Sequence, residues 1–252
     1  MRFLAALQFL TIWPWPRRRE FSPEELGRSV GYFPAVGFII GLVLAGLSWL
    51  LGLILPLAVV NALLIVALAV ISGALHLDGF VDTCDGIAGH KTVEERWRVM
   101  TDSRAGGFGI VGIVLLLLVK YVSLSSLPAG PLLMATLMLM PVVSRWAMVY
   151  AVFAYPYAKP SGLGKVFKQG VSWHKLTVAT LIALAVTAGL TQLVGLVIMF
   201  GVWIMVIVLA AYLKYKFSGL TGDHYGAVNE VAEVWVFILF SLLAHNQWLG
   251  LV

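Results

Sequence analysis

The chain has 252 residues, of which 61% are hydrophobic and only 12% are charged. A soluble domain carries roughly 25% charged residues, so this composition excludes a soluble enzyme. It predicts an all-α, polytopic membrane helix bundle that forms one integral membrane domain over residues 1–252. The formal net charge is a modest +5. We predict that the protein is embedded in the lipid bilayer and binds no nucleic acid.

Apolar runs predict about seven transmembrane helices behind an N-terminal interfacial segment, residues 1–32. Aromatic and basic residues such as Trp13 and Arg17 favour the headgroup region in this segment. The run 176–213 is too long for one crossing, and a break is predicted near Gln192. The spans are expected at about 33–55, from 57 into the segment 78–85, 108–127, 132–155, 176–191, 192–213 and from 234 to the C-terminus.

The distribution of charge predicts the orientation of the chain. All Lys, Arg, Asp and Glu residues except Lys120 and Arg145 fall in the N-terminal segment and in every second connection after it. Basic residues accumulate in cytoplasmic loops. We therefore predict a cytoplasmic N-terminus, cytoplasmic polar loops and an extracytoplasmic C-terminus.

The segment HLDGFVDTCDGIAGH contains three aspartates, Asp78, Asp82 and Asp85, at positions i, i+4 and i+7. On a helix they lie within roughly 60° of one another and form one acidic stripe. A solvated helix end would be the simpler interpretation, but stacked like charges repel, so a bound cation is predicted. Hard oxygen ligands favour Mg²⁺, which normally also binds substrate phosphates.

A second acidic cluster contains Asp223, Glu230 and Glu233. The segments that hold the two clusters, 78–107 and 214–233, are both predicted to be cytoplasmic. We therefore expect one shared pocket, in which Asp223 adds a metal ligand and Glu230 is the candidate general base.

Two arginines are candidates for binding an anion. Arg104 precedes a glycine-rich stretch at 105–109 whose backbone can approach a ligand closely. Arg145 lies about ten residues inside a predicted span, where a charge is usually functional, although a structural ion pair with a stripe aspartate is the alternative. Asp102 fits a substrate contact, a helix N-cap or an ion pair with Arg98 or Arg104.

Two further polar residues have simpler interpretations. Lys120 lies in the outer part of its span and is expected to extend its ammonium group to the membrane surface. His76 is more often a packing residue than a ligand at such a position.

Together, HLDGFVDTCDGIAGH and MTDSRAGGFG resemble the signature of the cobalamin synthase family, the adenosylcobinamide-GDP ribazoletransferases. The segments FLTIWPWP, YFPAVGFIIG and GLTGDHYGAVNE also resemble the family, so the resemblance spans the chain. It implies a Mg²⁺-dependent enzyme of late cobalamin biosynthesis in the bacterial cytoplasmic (inner) membrane. Such an enzyme joins adenosylcobinamide-GDP to α-ribazole or its 5′-phosphate, releases GMP and forms adenosylcobalamin or its 5′-phosphate.

With this resemblance, the candidate residues receive roles. The predicted catalytic residues are Asp82, Arg104, Arg145 and Glu230. The predicted metal ligands are Asp78, Asp82, Asp85 and Asp223. The predicted substrate-binding residues are His76, Asp102, Ser103, Gly107, Lys165 and Asn229. The oligomeric state is open, and a homo-oligomer is compatible with the sequence.

Two other functions fit part of the pattern. A CDP-alcohol phosphotransferase also combines membrane aspartates, metal and a nucleotide diphosphate, but it usually has an Ala-Arg pair after its first Asp-Gly. Here Asp78-Gly79 is followed by Phe80-Val81-Asp82. A cation-coupled transporter would place its carboxylates near the middle of the bilayer, whereas both clusters here lie at predicted span ends.

Overall fold

The computed structural model describes residues 1–13, 19–89 and 91–246. Within these ranges the regular structure is helical apart from an isolated bridge between Tyr157 and Leu220, so the predicted all-α class is confirmed. A 3₁₀ turn covers Val30–Tyr32. The α-helices are α1 (Arg2–Leu10), α2 (Pro23–Ser29), α3 (Phe33–Gly52), α4 (Leu57–Ile71), α5 (Leu75–Ile87), α6 (Val93–Val99), α7 (Gly107–Ser125), α8 (Pro131–Ala154), α9 (Leu163–Gly170), α10 (Trp173–Phe217) and α11 (Gly222–His245).

Helix α8 is the centre of the bundle. It packs against α3, α10 and α11, and every residue from 139 to 149 is buried. A helix that is apolar on all sides is expected to be surrounded by other helices. The remaining long helices expose apolar side chains such as Ile110, Leu118 and Val208 on the outside of the bundle, as a lipid-facing surface requires.

The predicted multi-pass architecture is confirmed, while the count of seven spans stays a prediction. In the described ranges, five helical stretches are long and apolar enough to cross a membrane, or six if α4 and α5 form one bent span. Helix α10 is counted once, although it has 45 residues and a non-helical Gln192 (φ 49°, ψ −128°). This break lies where the sequence predicted it.

The chain reverses direction at Gln192. Before the break, Thr180 accepts a hydrogen bond from Trp146 of α8. After it, Gly195 lies against Leu139 of α8, which is two turns back from Trp146. Trp173 packs on Phe153 before the break, and Tyr155 at the end of α8 donates to the Ile207 carbonyl after it. The contacted positions on α8 therefore fall from 153 to 146 before the break and rise from 139 to 155 after it, so the two halves of α10, residues 173–191 and 193–217, run along α8 in opposite directions.

The second predicted span reaches the aspartate stripe only after a sharp bend that the sequence did not indicate. Helices α4 and α5 meet at an angle of 90°. Gly73 (φ 60°) and Ala74 (φ 54°) both adopt the left-handed conformation between them. A glycine in this conformation commonly ends a helix, and here it turns α5 toward α7 and α11.

The N-terminal segment packs on the bundle. Ala5, Ala6 and Leu10 of α1 are buried, and the Ile12 amide donates to the carbonyl of Ile71 at 2.9 Å. The segment therefore covers the bend between α4 and α5. The interfacial expectation for residues 14–18, the extracytoplasmic expectation for residues 247–252 and the motif residue His90 lie outside the described residues.

The contact between α3 and α8 gives a first testable prediction. A Cβ atom on Gly37 would overlap the Pro141 carbonyl oxygen, whereas a Cβ atom on Gly46 would have nothing within 4 Å. We expect Gly37→Ala to lower the free energy of unfolding by about 1–3 kcal/mol, because the helices must move apart. Thermal unfolding in detergent should show a lower melting temperature for Gly37→Ala than for the control Gly46→Ala, and equal values would contradict the prediction.

Candidate active site

Three aspartates from the two acidic segments come together at one end of the bundle. Helix α5 presents Asp78 and Asp82, and α11 begins next to them. A Cβ atom on Gly79 would lie 2.9 Å from the Cα of Asp223, so only glycine allows this approach. Asp78 and Asp223 both repel the charge on Asp82. We call Asp78, Asp82 and Asp223 the acidic patch.

Asp85, the fourth predicted metal ligand, is directed toward the start of α7. Its carboxylate oxygens accept hydrogen bonds from the amides of Gly106, at 2.7 Å, and Gly109, at 2.8 Å. A carboxylate at a helix N-terminus satisfies free amides and interacts favourably with the helix dipole. Asp85 therefore anchors the glycine-rich loop and has both oxygens engaged.

A short backbone contact places a cation beside the acidic patch. The Ala158 amide donates to the Leu220 carbonyl at 2.8 Å, and the Leu220 amide donates to the Pro156 carbonyl at 2.9 Å. As a result, Lys159 lies with its Nζ 3.6 Å from Oδ2 of Asp223. Lys159 was not among the predicted site residues.

The N-termini of α9 and α11 meet at the same place. A Cβ atom on Gly164 would lie 2.8 Å from the amide nitrogen of Gly222, so the two helix starts touch. Thr221 caps α11 through its side chain, and Gly162 precedes α9 with φ 120°. Helix N-termini carry partial positive charge and bind anions. Anion-binding groups therefore lie next to the carboxylates.

These elements enclose a cavity of about 250 Å³, which we call the main cavity. It has a polar side and an apolar side. The polar side chains are His76, Asp78, Tyr157, Lys159, Ser161, Thr221, Asp223 and Tyr225. The apolar side chains are Phe9, Phe33, Leu75, Met148, Val152, Leu163 and Phe167.

A buried ion cluster lies further inside the bundle. Lys120 Nζ is 2.5 Å from Glu230 Oε2 and 2.6 Å from Glu233 Oε2, and Arg145 Nη1 donates to Glu233. All four side chains are almost completely buried. The expectation that Lys120 reaches the membrane surface is therefore wrong, because two carboxylates from α11 hold it inside. We call Lys120, Arg145, Glu230 and Glu233 the ion cluster.

Besides Glu230, two predicted site residues belong to or contact the ion cluster rather than the main cavity. Arg145 pairs with Glu233 and donates to Ser144 at 2.9 Å, so its partner is not a stripe aspartate. Asn229 donates to Glu233 at 3.0 Å. Neither residue lines the main cavity.

The predicted clamp residue Arg104 lies in an exposed loop. Its guanidinium donates to Asp102 at 2.9 and 3.1 Å, and these hydrogen bonds lower the pKa of Asp102 to about 2. Ser103, between them, is also exposed. The loop is two residues from Gly106, which Asp85 binds, so Arg104 is tethered near the acidic segment.

The last two predicted substrate-binding residues lie at helix starts. Gly107 is the first residue of α7. Lys165 lies in the first turn of α9 and donates through Nζ to the Pro160 carbonyl. Among residues that were not predicted, Tyr157 and Tyr225 line the main cavity. The glycines at 162 and 164 were the sequence signal that could have directed attention to this loop.

The described residues contain no group of three or more His, Cys, Asp or Glu side chains arranged as a preformed metal site. Mg²⁺ does not require one, since it is usually bound by one or two carboxylates together with waters and substrate phosphates. The acidic patch offers hard oxygen atoms of this type beside anion-binding groups. The donor set therefore fits Mg²⁺ in the presence of a phosphorylated substrate.

Fold and site together define a multi-pass membrane enzyme whose acidic and anion-binding groups meet at one end of a helix bundle. The chain belongs to the cobalamin-5-phosphate synthase family, whose model matches residues 2–241. The resemblance inferred from the motifs is thereby confirmed. The match gives no support to a CDP-alcohol phosphotransferase or a cation-coupled transporter.

Relatives named adenosylcobinamide-GDP ribazoletransferase align along nearly the whole chain. The Geotalea daltonii protein is 38% identical over 242 residues, which is 96% of both chains. The Desulforamulus reducens protein is 36% identical over 238 residues, 94% of both chains. The Roseiflexus protein is 35% identical over 248 residues, 97% of this chain and 91% of its own. No solved structure matches the chain significantly.

Proposed function

We propose that this protein transfers the adenosylcobinamide-phosphate group from adenosylcobinamide-GDP to α-ribazole or its 5′-phosphate and releases GMP. The observation that carries the proposal is the convergence of α5 and α11, which brings Asp78 and Asp223 to one cavity in a chain that matches the family over residues 2–241. In this reaction a ribose hydroxyl oxygen forms a bond to phosphorus, and the bridging P–O bond to GMP breaks.

The acidic patch is the proposed Mg²⁺ site. Asp78, Asp82 and Asp223 repel one another when no cation is bound, and a divalent ion removes that repulsion. The metal-ligand role of Asp85 stays a prediction, because its oxygens accept hydrogen bonds from backbone amides at the start of α7. Bound Mg²⁺ supplies charge neutralisation on the phosphate oxygens.

The groups around the patch are proposed to hold the diphosphate. Lys159 and the N-termini of α9 and α11 bind its anionic oxygens from one side. Arg104 is proposed to exchange Asp102 for a phosphate group, since a carboxylate and a phosphate can each accept two parallel hydrogen bonds from a guanidinium group. Holding the donor in this way aligns the phosphorus with the incoming hydroxyl, and positioning is a large part of catalysis in phosphoryl transfer.

The role of Glu230 as general base stays a prediction. Glu230 is seven residues after Asp223, which is roughly 10.5 Å along the helix, and its carboxylate is bound to Lys120. An ion pair of this kind competes with proton transfer from a substrate. The catalytic role of Arg145 and the substrate-binding role of Asn229 also stay predictions, since both side chains donate hydrogen bonds to Glu233.

We also propose the orientation that the charges favour. The site then lies at the cytoplasmic face of a bacterial inner membrane, together with Lys159 and the loop of Arg104. The N-terminus is inside and the C-terminus is outside. The positive-inside bias of the loops supports this orientation. A homo-oligomer remains compatible with it.

The test is GMP release by the full-length protein in liposomes. We expect GMP only when adenosylcobinamide-GDP, α-ribazole and Mg²⁺ are all present, and EDTA should stop its release because the phosphate charge is then not neutralised. Chromatography of GMP and of the corrinoid product measures the reaction. GMP formed without α-ribazole would indicate a hydrolase, and no GMP under any condition would refute the proposal.

A further inference from the structure

The apolar side of the main cavity is built by three phenylalanines from separate elements. Phe9 comes from α1, Phe33 from α3 and Phe167 from α9. Their ring centroids are 4.7 Å apart for Phe9 and Phe167, 5.4 Å for Phe33 and Phe167, and 6.0 Å for Phe9 and Phe33. Clustered aromatic rings offer faces and edges on which a flat aromatic ligand can pack.

The polar side of the same cavity contains buried groups without partners. Within the described part of the chain, neither ring nitrogen of His76 nor the hydroxyl of Tyr225 has a hydrogen-bond partner. Both residues are only 3% exposed. An unpaired buried polar group costs about 1–3 kcal/mol. A ligand hydroxyl that reached these atoms on binding would remove that cost.

The volume of the cavity limits which part of the substrates it can hold. Its volume is about 250 Å³, slightly below the roughly 300–1,000 Å³ of pockets for drug-sized ligands. One nucleoside fits this space. A corrin macrocycle, or a nucleotide diphosphate joined to one, does not.

We propose that the main cavity is the acceptor subsite and binds α-ribazole, a benzimidazole ribonucleoside, an inference that rests on the proposed function and deepens it. The benzimidazole base packs against the cluster formed by Phe9, Phe33 and Phe167. The ribose hydroxyls face His76 and Tyr225, close to the acidic patch.

The alternative occupant is the guanosine of the donor. Guanine has several hydrogen-bonding atoms on its edge, and burial against phenylalanines would leave them unpaired. On the apolar side, the described lining residues offer these atoms no polar side chain, and the carboxylates of Asp78 and Asp223 on the polar side are proposed Mg²⁺ ligands. A benzimidazole ring has an almost entirely apolar edge, so the lining favours the acceptor.

The test compares two conservative Phe→Leu variants in liposomes. Phe167→Leu changes the cavity, whereas the control Phe240→Leu changes a buried ring near the opposite end of α11. We expect Phe167→Leu to raise the KM for α-ribazole about two- to tenfold, the size of an aromatic contact. Its KM for adenosylcobinamide-GDP should stay unchanged, and Phe240→Leu should leave both values unchanged.

A second variant measures binding without turnover. Val152→Phe adds bulk inside the cavity, so α-ribazole should no longer raise the melting temperature of the protein, while adenosylcobinamide-GDP still does. An increase in the KM for adenosylcobinamide-GDP alone in Phe167→Leu would assign the cavity to guanosine and overturn the inference. Unchanged KM values for both substrates would also overturn it.

The two levels of the proposal fail in different ways. A wild-type protein that releases GMP, combined with an α-ribazole KM that Phe167→Leu does not change, refutes only the acceptor subsite. A wild-type protein that releases no GMP refutes the proposed function and the subsite together.

Discussion

Asp82→Asn is expected to reduce the rate of GMP release at least about a hundredfold while the protein stays folded and inserted in the membrane. The carboxamide keeps the size of the side chain and removes its charge. Asp82 is half-buried between Asp78 and Asp223, where that charge has the greatest effect on a bound cation. Loss of one carboxylate also relieves repulsion in the patch, so stability should not fall.

The measurement is the initial rate of GMP release over a range of Mg²⁺ concentrations. Glu94→Gln is the matched control, because Glu94 is an exposed carboxylate in the first turn of α6. It should behave like the wild type. A variant Asp82→Asn with a near wild-type rate at saturating Mg²⁺ would show that the acidic patch is structural.

Local sequence signals account for part of the fold. The reversal at Gln192 follows from the length of the apolar run, because 45 helical residues exceed what one crossing needs. The bend between α4 and α5 was not predicted. It depends on left-handed Ala74 as well as Gly73, and alanine gives no signal for that conformation.

The site was predictable where its residues are close in sequence and not where distant segments meet. The spacing of Asp78 and Asp82 indicated one helix face. The engagement of Asp85 was missed because its partners are 21 and 24 residues away. The position of Lys120 was predicted wrongly because its carboxylate partners are 110 and 113 residues away.

The aromatic side of the main cavity could not be predicted from local sequence patterns either. Phe9 belongs to the predicted interfacial segment, and Phe33 is the first residue of a predicted span. Only the packing of α1 and α9 on the bundle brings them next to Phe167. Aromatic residues are common in membrane proteins, so their presence alone carries little information about a ligand site.

Glu230→Gln is expected to destabilise the protein as well as reduce its activity. The ion cluster holds two cations, Lys120 and Arg145, and two carboxylates, Glu230 and Glu233. Replacing Glu230 by a neutral side chain leaves an excess positive charge in a buried site. Breaking a buried ion pair by removing one partner costs roughly 3–5 kcal/mol, so the melting temperature in detergent should fall markedly.

The double variant Lys120→Met/Glu230→Gln separates a structural role of Glu230 from a role as general base. It removes one cation and one carboxylate together, so the pair of Arg145 with Glu233 remains and the site stays neutral. We expect its melting temperature to recover toward the wild-type value, because neutral replacements of buried ion pairs are often tolerated. If Glu230 acts only through Lys120, GMP release should recover with stability. A stable double variant that stays inactive would instead identify Glu230 as the base, since a carboxamide cannot accept the ribose proton.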